Sequence, residues 1–225
     1  MQEEVLIKSG DLTLEGHVAL NSENKGWVIF AHGSGSSRKS PRNNWVSEEL
    51  NQHGYSCLLF DLLTSAEDEY YSNRFNIPLL TQRLLIATNW LIDSKYYDST
   101  PLAYFGASTG AAAALQAASA IEGEGRIKTV VCRGGRPDLA GEEFLNKLNL
   151  PVLMIVGEYD FEVIELNRKA SEFLKNSQIS IIPEATHLFE EEGTLNLVMQ
   201  KTLNWLDQHL ITQAKPDIYD SPSPI

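Results

Sequence analysis

Cysteine is scarce, with two residues in 225, Cys57 and Cys132, and both lie in apolar runs that suggest buried strands. There a free thiol behaves as a small apolar side chain, so neither a disulfide framework nor a cysteine metal site is expected. No uninterrupted apolar run approaches the length that spans a bilayer. The first residues, Met1-Gln-Glu-Glu, lack the basic and apolar regions of a signal peptide, which points to a cytoplasmic protein. Positive charge is short as well: 18 Lys and Arg face 30 Asp and Glu, for a net charge of −12. Such a field repels phosphates and argues against nucleic acid or an anionic membrane as partner, leaving small-molecule chemistry. No stretch has the composition of an interdomain linker. Residues 1–211 are therefore expected to form one domain, and 212–225 a flexible proline- and serine-containing tail. Nothing in the pattern fixes the oligomeric state.

What is present alternates. Val5 to Ala19 has period-two apolar positions on either side of Gly10-Asp11, the pattern of an antiparallel hairpin at a sheet edge. Strand-like, mostly apolar runs follow at Trp27–Ala31, Cys57–Asp61, Leu102–Phe105, Thr129–Cys132 and Pro151–Val156, with a shorter one at Ile179–Ile182. Helical patterns separate them. Ser40-Pro41 supplies a cap and a first-turn proline for one helix, Pro78 opens another, and Ala111 to Ala118 form a third with small side chains. Leu166, Ala170 and Phe173 mark a fourth, and Leu195 to Leu206 a last. Thr64 to Asn76 shows neither period and is expected as a long loop over one end of the sheet. The fold class is thus α/β, a mostly parallel sheet with an antiparallel N-terminal hairpin, helices on both faces and no large cap. In such sheets ligands bind beyond the carboxyl ends of the strands.

The polar, glycine-rich segments fall at those ends. Gly106-Ala-Ser108-Thr-Gly110 joins a strand to a helix, so Ser108 should sit on a strained turn with its hydroxyl projecting. A serine hydroxyl is a weak nucleophile and needs a base and a group to orient that base. His187, in the loop after the last short strand, is the candidate base. Asp160, just past the strand ending at Val156, is the candidate orienting acid, with Glu158, Glu162 and Asp138 as competitors. The amides of Thr109 and Ser34 are candidate oxyanion donors. His32 is expected to shape the Gly33-Ser34-Gly35 loop by hydrogen bonding, and Arg133 and Arg136 could hold a substrate anion or pair with Asp138 and nearby glutamates. Glu190 to Glu192 suggest a solvated helix start.

On these residues the chain resembles the α/β-hydrolase superfamily, and within it the small dienelactone-hydrolase-like branch. His32-Gly33, Gly106-Ala-Ser108-Thr-Gly110, Gly157-Glu-Tyr-Asp160 and Ala185-Thr-His187 stand in the expected order. The resemblance implies carboxylic-ester or related acyl hydrolysis through an acyl-enzyme, with Ser108, Asp160 and His187 as triad, no metal and no cofactor. Dienelactone hydrolases proper carry a cysteine nucleophile where this chain has Ser108, so lactone hydrolysis does not transfer. Two rivals remain. A hydrolase-like scaffold could bind without turnover. Gly33-Ser-Gly-Ser-Ser-Arg38-Lys39-Ser40 nearly spells a phosphate-binding loop, except that Arg38 stands where glycine is required.

Overall fold

The computed structural model describes residues 2–210. Eight strands run in chain order as β1 (Gln2–Ser9), β2 (Leu12–Ala19), β3 (Trp27–Ala31), β4 (Ser56–Phe60), β5 (Leu102–Ala107), β6 (Ile127–Arg133), β7 (Val152–Gly157) and β8 (Ser177–Ile182). They form one sheet in the order β1-β2-β4-β3-β5-β6-β7-β8. β1 and β2 are antiparallel, β2 pairs antiparallel with β4, and β3 to β8 run parallel. The hairpin lies at the edge, as its alternating pattern predicts.

Side chains of the central strands alternate between two apolar layers. Trp27, Ile29, Leu102 and Tyr104 point to one layer, and Val28, Phe30, Ala103 and Phe105 to the other. The first layer is closed by α3 (Ile77–Asp93), α4 (Thr109–Ala120) and α5 (Glu142–Lys147). α1 (Pro41–Gln52) and α7 (Thr194–His209) close the second. Ala111 to Ala114, Ala117 and Ala118 of α4 are fully buried, because small side chains let this helix lie close on the sheet. Both thiols are enclosed, and burial pushes Cys57 and Cys132 up to about 12, so they stay protonated.

Local expectations were met unevenly. α1 begins at Pro41 as predicted, but the Ser40 side chain makes no capping bond. The stretch 64–76 is not a bare loop. It holds a single helical turn, α2 (Ser65–Asp68), and a 3-10 turn at Tyr71–Phe75. Thr64 and Glu67 close a reciprocal capping box there, a T-x-x-E signal the absence of periodicity obscured. α6 (Phe161–Ser171) buries Val163, Ile164, Asn167 and Ala170, so Phe173 lies beyond its end and Leu166 off its buried face. Glu190 to Glu192 precede α7 rather than start it: Glu191 accepts from the Thr186 amide and hydroxyl, and Glu190 pairs with Arg42. The expected tail, 212–225, lies outside the described residues. Among the described residues no helix is long and apolar enough to cross a membrane.

Candidate active site

Ser108 follows β5 directly and precedes α4, with φ 49° and ψ −121°. A serine adopts this left-handed backbone only under constraint. The constraint comes from its neighbours. A Cβ on Gly110 would stand 2.1 Å from the Ala31 carbonyl oxygen, and one on Gly106 would stand 2.5 Å from the Ala111 Cα. Glycine at both positions lets β5, β3 and α4 approach closely enough to force the turn. The Ser108 carbonyl accepts from the Arg136 amide at 3.1 Å and the Ala111 amide at 3.1 Å, which pins the turn from outside.

His187 lies on the loop between β8 and α7, and its Nδ1 stands 2.6 Å from Asp160 Oδ2, with Asp160 at the end of β7. The Asp160 side chain makes no helix-capping bond to α6, so its carboxylate serves the imidazole. Of the competing acids, Asp138 is engaged by Arg136 and Glu158 by the Glu184 amide, while Glu162 is exposed in the first turn of α6. Gly134, at φ 50°, packs against this histidine, since a Cβ there would stand 3.0 Å from the His187 carbonyl oxygen and 3.5 Å from its Nδ1. Glu191 braces the other side of the loop through Thr186. Ser108 and His187 share the wall of a cavity of about 220 Å³, together with Gly33, Ser34, Ser36, Arg42, Ala107, Arg133 and Leu188. Segments after β3, β5, β6 and β8 thus meet over the carboxyl ends of the strands.

The loop after β3 is held from both ends. The Leu62 amide donates to His32 Nε2 at 3.0 Å, so that nitrogen carries no proton and Nδ1–H donates to the Gly33 carbonyl at 2.9 Å. Burial pushes His32 below the ordinary imidazole value, which keeps it neutral. Both of its ring nitrogens are thus engaged with backbone of the loops after β3 and β4. Further along, Arg38 is enclosed and bonds Asp61 with both its amide and its guanidinium, at 2.7 and 2.9 Å, and Glu15 at 2.7 Å. Lys39 is exposed. The cations of this loop therefore do not converge on a phosphate cradle, and Asp61 serves as a structural partner.

The two candidate oxyanion segments touch. The Ser34 amide donates to the Thr109 hydroxyl at 3.0 Å, so in this state its proton is committed to that side chain. The Thr109 amide opens α4 and is one of the first four N–H groups that have no partner within a helix. Arg136 is forked onto Asp138 at 2.9 and 2.8 Å and does not line the cavity. Arg133 does line it. No residue of the segment Ser65 to Ile77 lines this cavity. Asp68 and Arg74 of that segment line a much smaller pocket that shares Gly33, Ser34 and Ser36 with the Ser108 cavity and also includes Thr109.

Two asparagines escaped the sequence reading. Asn43 of α1 accepts from Arg133 Nη2 at 3.3 Å, and Asn167 of α6 donates to the Gly135 carbonyl at 3.0 Å. Both are buried and also bond nearer groups, Asn43 to Ser36 and Asn167 to Val163, but the contacts with Arg133 and Gly135 span ninety and thirty-two residues and carry no local signal. Among the described residues no group of three or more His, Cys, Asp or Glu could hold a metal ion.

An open parallel sheet with a strained serine after the fifth strand, an acid after the seventh and a histidine after the eighth defines the α/β-hydrolase class. The chain belongs to that family: residues 24–213 match the model for the alpha/beta hydrolase domain. Its structure is similar to that of a dienelactone hydrolase from Anabaena variabilis, at 44% identity and a TM-score of 0.87, over 93% of this chain and 98% of that one. It shares its fold with Est1E from Butyrivibrio proteoclasticus, at 17% identity and a TM-score of 0.76, over 91% of this chain and 98% of that one. Curated Mycobacterium tuberculosis proteins provisionally named phosphoribosyl transferases are 46% identical over 209 residues, which is 92% of this chain. The chain spans only 46% of their length.

Proposed function

We propose that this hydrolase cleaves a carboxylic ester or related acyl bond of a small soluble substrate, with Ser108 as nucleophile, His187 as general base and acid, and Asp160 as the orienting carboxylate. The observation that carries the reading is the His187–Asp160 contact of 2.6 Å beside a cavity whose wall includes the strained Ser108. With Nδ1 engaged by Asp160, Nε2 is left to face substrate. Ser108 Oγ attacks the acyl carbon while its proton passes to His187 Nε2. The carbonyl π bond opens onto oxygen, and the oxyanion is held by the Thr109 amide and by the Ser34 amide once that proton is released from the Thr109 hydroxyl. Collapse breaks the bond to the leaving alcohol, which takes the proton from His187. Water then attacks the acyl-enzyme, gives its proton to His187, and releases the acid as Ser108 recovers its own.

The transferase name of the mycobacterial relatives belongs to proteins more than twice the length of the matched region, and the site residues here supply acyl-transfer chemistry. A scaffold without turnover is the reading to be tested against. Hydrolysis of 4-nitrophenyl acetate and butyrate by the wild type should fall to the uncatalysed level in Ser108→Ala. Equal rates in the two proteins would rule out the esterase.

A further inference from the structure

Arg133 ends β6 and turns its guanidinium under the first turn of α1. The residue is 8% exposed and, among the described residues, has no carboxylate partner. Nη2 reaches only the neutral Asn43 oxygen, at 3.3 Å, while Nη1 is enclosed without any hydrogen-bond partner. The aromatic face of Phe105 lies below, 5.8 Å from the guanidinium carbon. Burying a charge costs far more than a surface charge does, and proteins ordinarily answer it with an opposite charge. Here the environment is the reverse. Arg42 adds repulsion, and burial with that repulsion lowers Arg133 to about 10, still charged at neutral pH. Arg42 itself is balanced by Glu190, 65% exposed, which leaves Arg133 as the uncompensated cation of the cavity wall. In a chain of net charge −12, both Arg42 and Arg133 line the cavity that also holds Ser108. The backbone fixes its place: the Ser108 amide donates to the Arg133 carbonyl at 3.3 Å, and Ala107 is the register partner of Arg133.

We propose that Arg133 forms an anion subsite next to the nucleophile and that the substrates carry a carboxylate or phosphate group close to the acyl bond that is cleaved. The planar fork of the guanidinium suits either group, and a bound anion would supply the opposite charge that Arg133 lacks. Arg42 supports it from the cavity mouth. The choice of substrate rests on the serine-hydrolase reading; the binding of an anion does not.

The test separates the two. Ser108→Ala protein, which cannot turn over, is titrated by calorimetry with inorganic phosphate and with succinate, and the same is done with Ser108→Ala carrying Arg133→Gln or Arg133→Lys. Saturable binding of one anion per chain is expected, weakened about tenfold or more by Arg133→Gln and less by Arg133→Lys. Binding of phosphate alone would mark phosphorylated substrates, and of succinate alone carboxylated ones. Absence of saturable binding, or binding indifferent to Arg133→Gln, overturns the subsite. In turnover, wild type should favour mono-4-nitrophenyl succinate over its neutral methyl ester by about tenfold or more in kcat/KM. Equal values for the two overturn the substrate assignment without needing any Arg133 variant to fold. Anion binding in a protein whose Ser108 is inert toward esters would leave the subsite standing and remove the hydrolase reading.

Discussion

Asp160 illustrates how a single side chain can be read two ways. An acid just before a helix is most often a cap, but here its carboxylate turns to His187 Nδ1 at 2.6 Å and makes no capping bond. Asp160→Asn should therefore cost little stability while lowering kcat/KM by about 10⁴-fold, because an amide that donates to Nδ1 imposes the wrong tautomer. Steady-state kinetics beside a melting curve check both halves. A loss of melting temperature matching the loss of activity would make the residue structural. That Ser108, Asp160 and His187 stand beyond the carboxyl ends of strands was legible in the sequence, since each follows an apolar run. Asn43, Asn167 and Glu191 were not. Asn43 and Asn167 bond partners ninety and thirty-two residues away that arrive only with the fold, whereas Glu191 bonds Thr186, five residues away in a loop without periodicity.

At the level of elements, the contact between α4 and β3 decides whether the nucleophile turn can form. Gly110→Ala would drive a Cβ to 2.1 Å from the Ala31 oxygen and 2.5 Å from the His32 oxygen, both rigid backbone. The expected cost is about 3 kcal/mol or more, seen as a fall of roughly 10 °C in Tm. An unchanged Tm would mean that the helix has room to move. The capping box at Thr64 predicts a smaller effect: Thr64→Ala should cost about 1 kcal/mol in chemical denaturation, without altering catalysis, because α2 does not line the Ser108 cavity. This turn shows why element boundaries were harder to read than strands. A five-residue apolar run buried on both faces announces itself, whereas a four-residue helix rests on one capping pair amid polar residues. The sequence of Glu190 to Glu192 misled for the same reason, its acidity serving Arg42 and Thr186 rather than a helix dipole.

Across the whole molecule, the class of the sheet was evident from its alternating runs, while the strand order was not. β4 lies between β2 and β3, a pairing of segments distant in the chain that no local pattern announces. Assembly also buries histidines. His17 and His32 are both pushed below the ordinary imidazole value, primarily by burial. The unfolded chain takes up these protons near its ordinary value of 6.5, whereas the native state resists them until lower pH. Between those limits the unfolded state binds more protons, so stability falls as pH drops below about 6.5. Urea unfolding at about pH 7.5 and about pH 5.5 should show the lower value at the acid end, and a flat profile would contradict the neutral assignment of His32.

The central claim is that Ser108 is activated by His187 in the folded chain. Reaction with a fluorophosphonate, followed by proteolysis and peptide mapping, tests it most directly. The account predicts a single adduct at Ser108, formed by the wild type and reduced by orders of magnitude in His187→Ala. No adduct on well-folded wild-type protein, or an adduct on another residue, would contradict it.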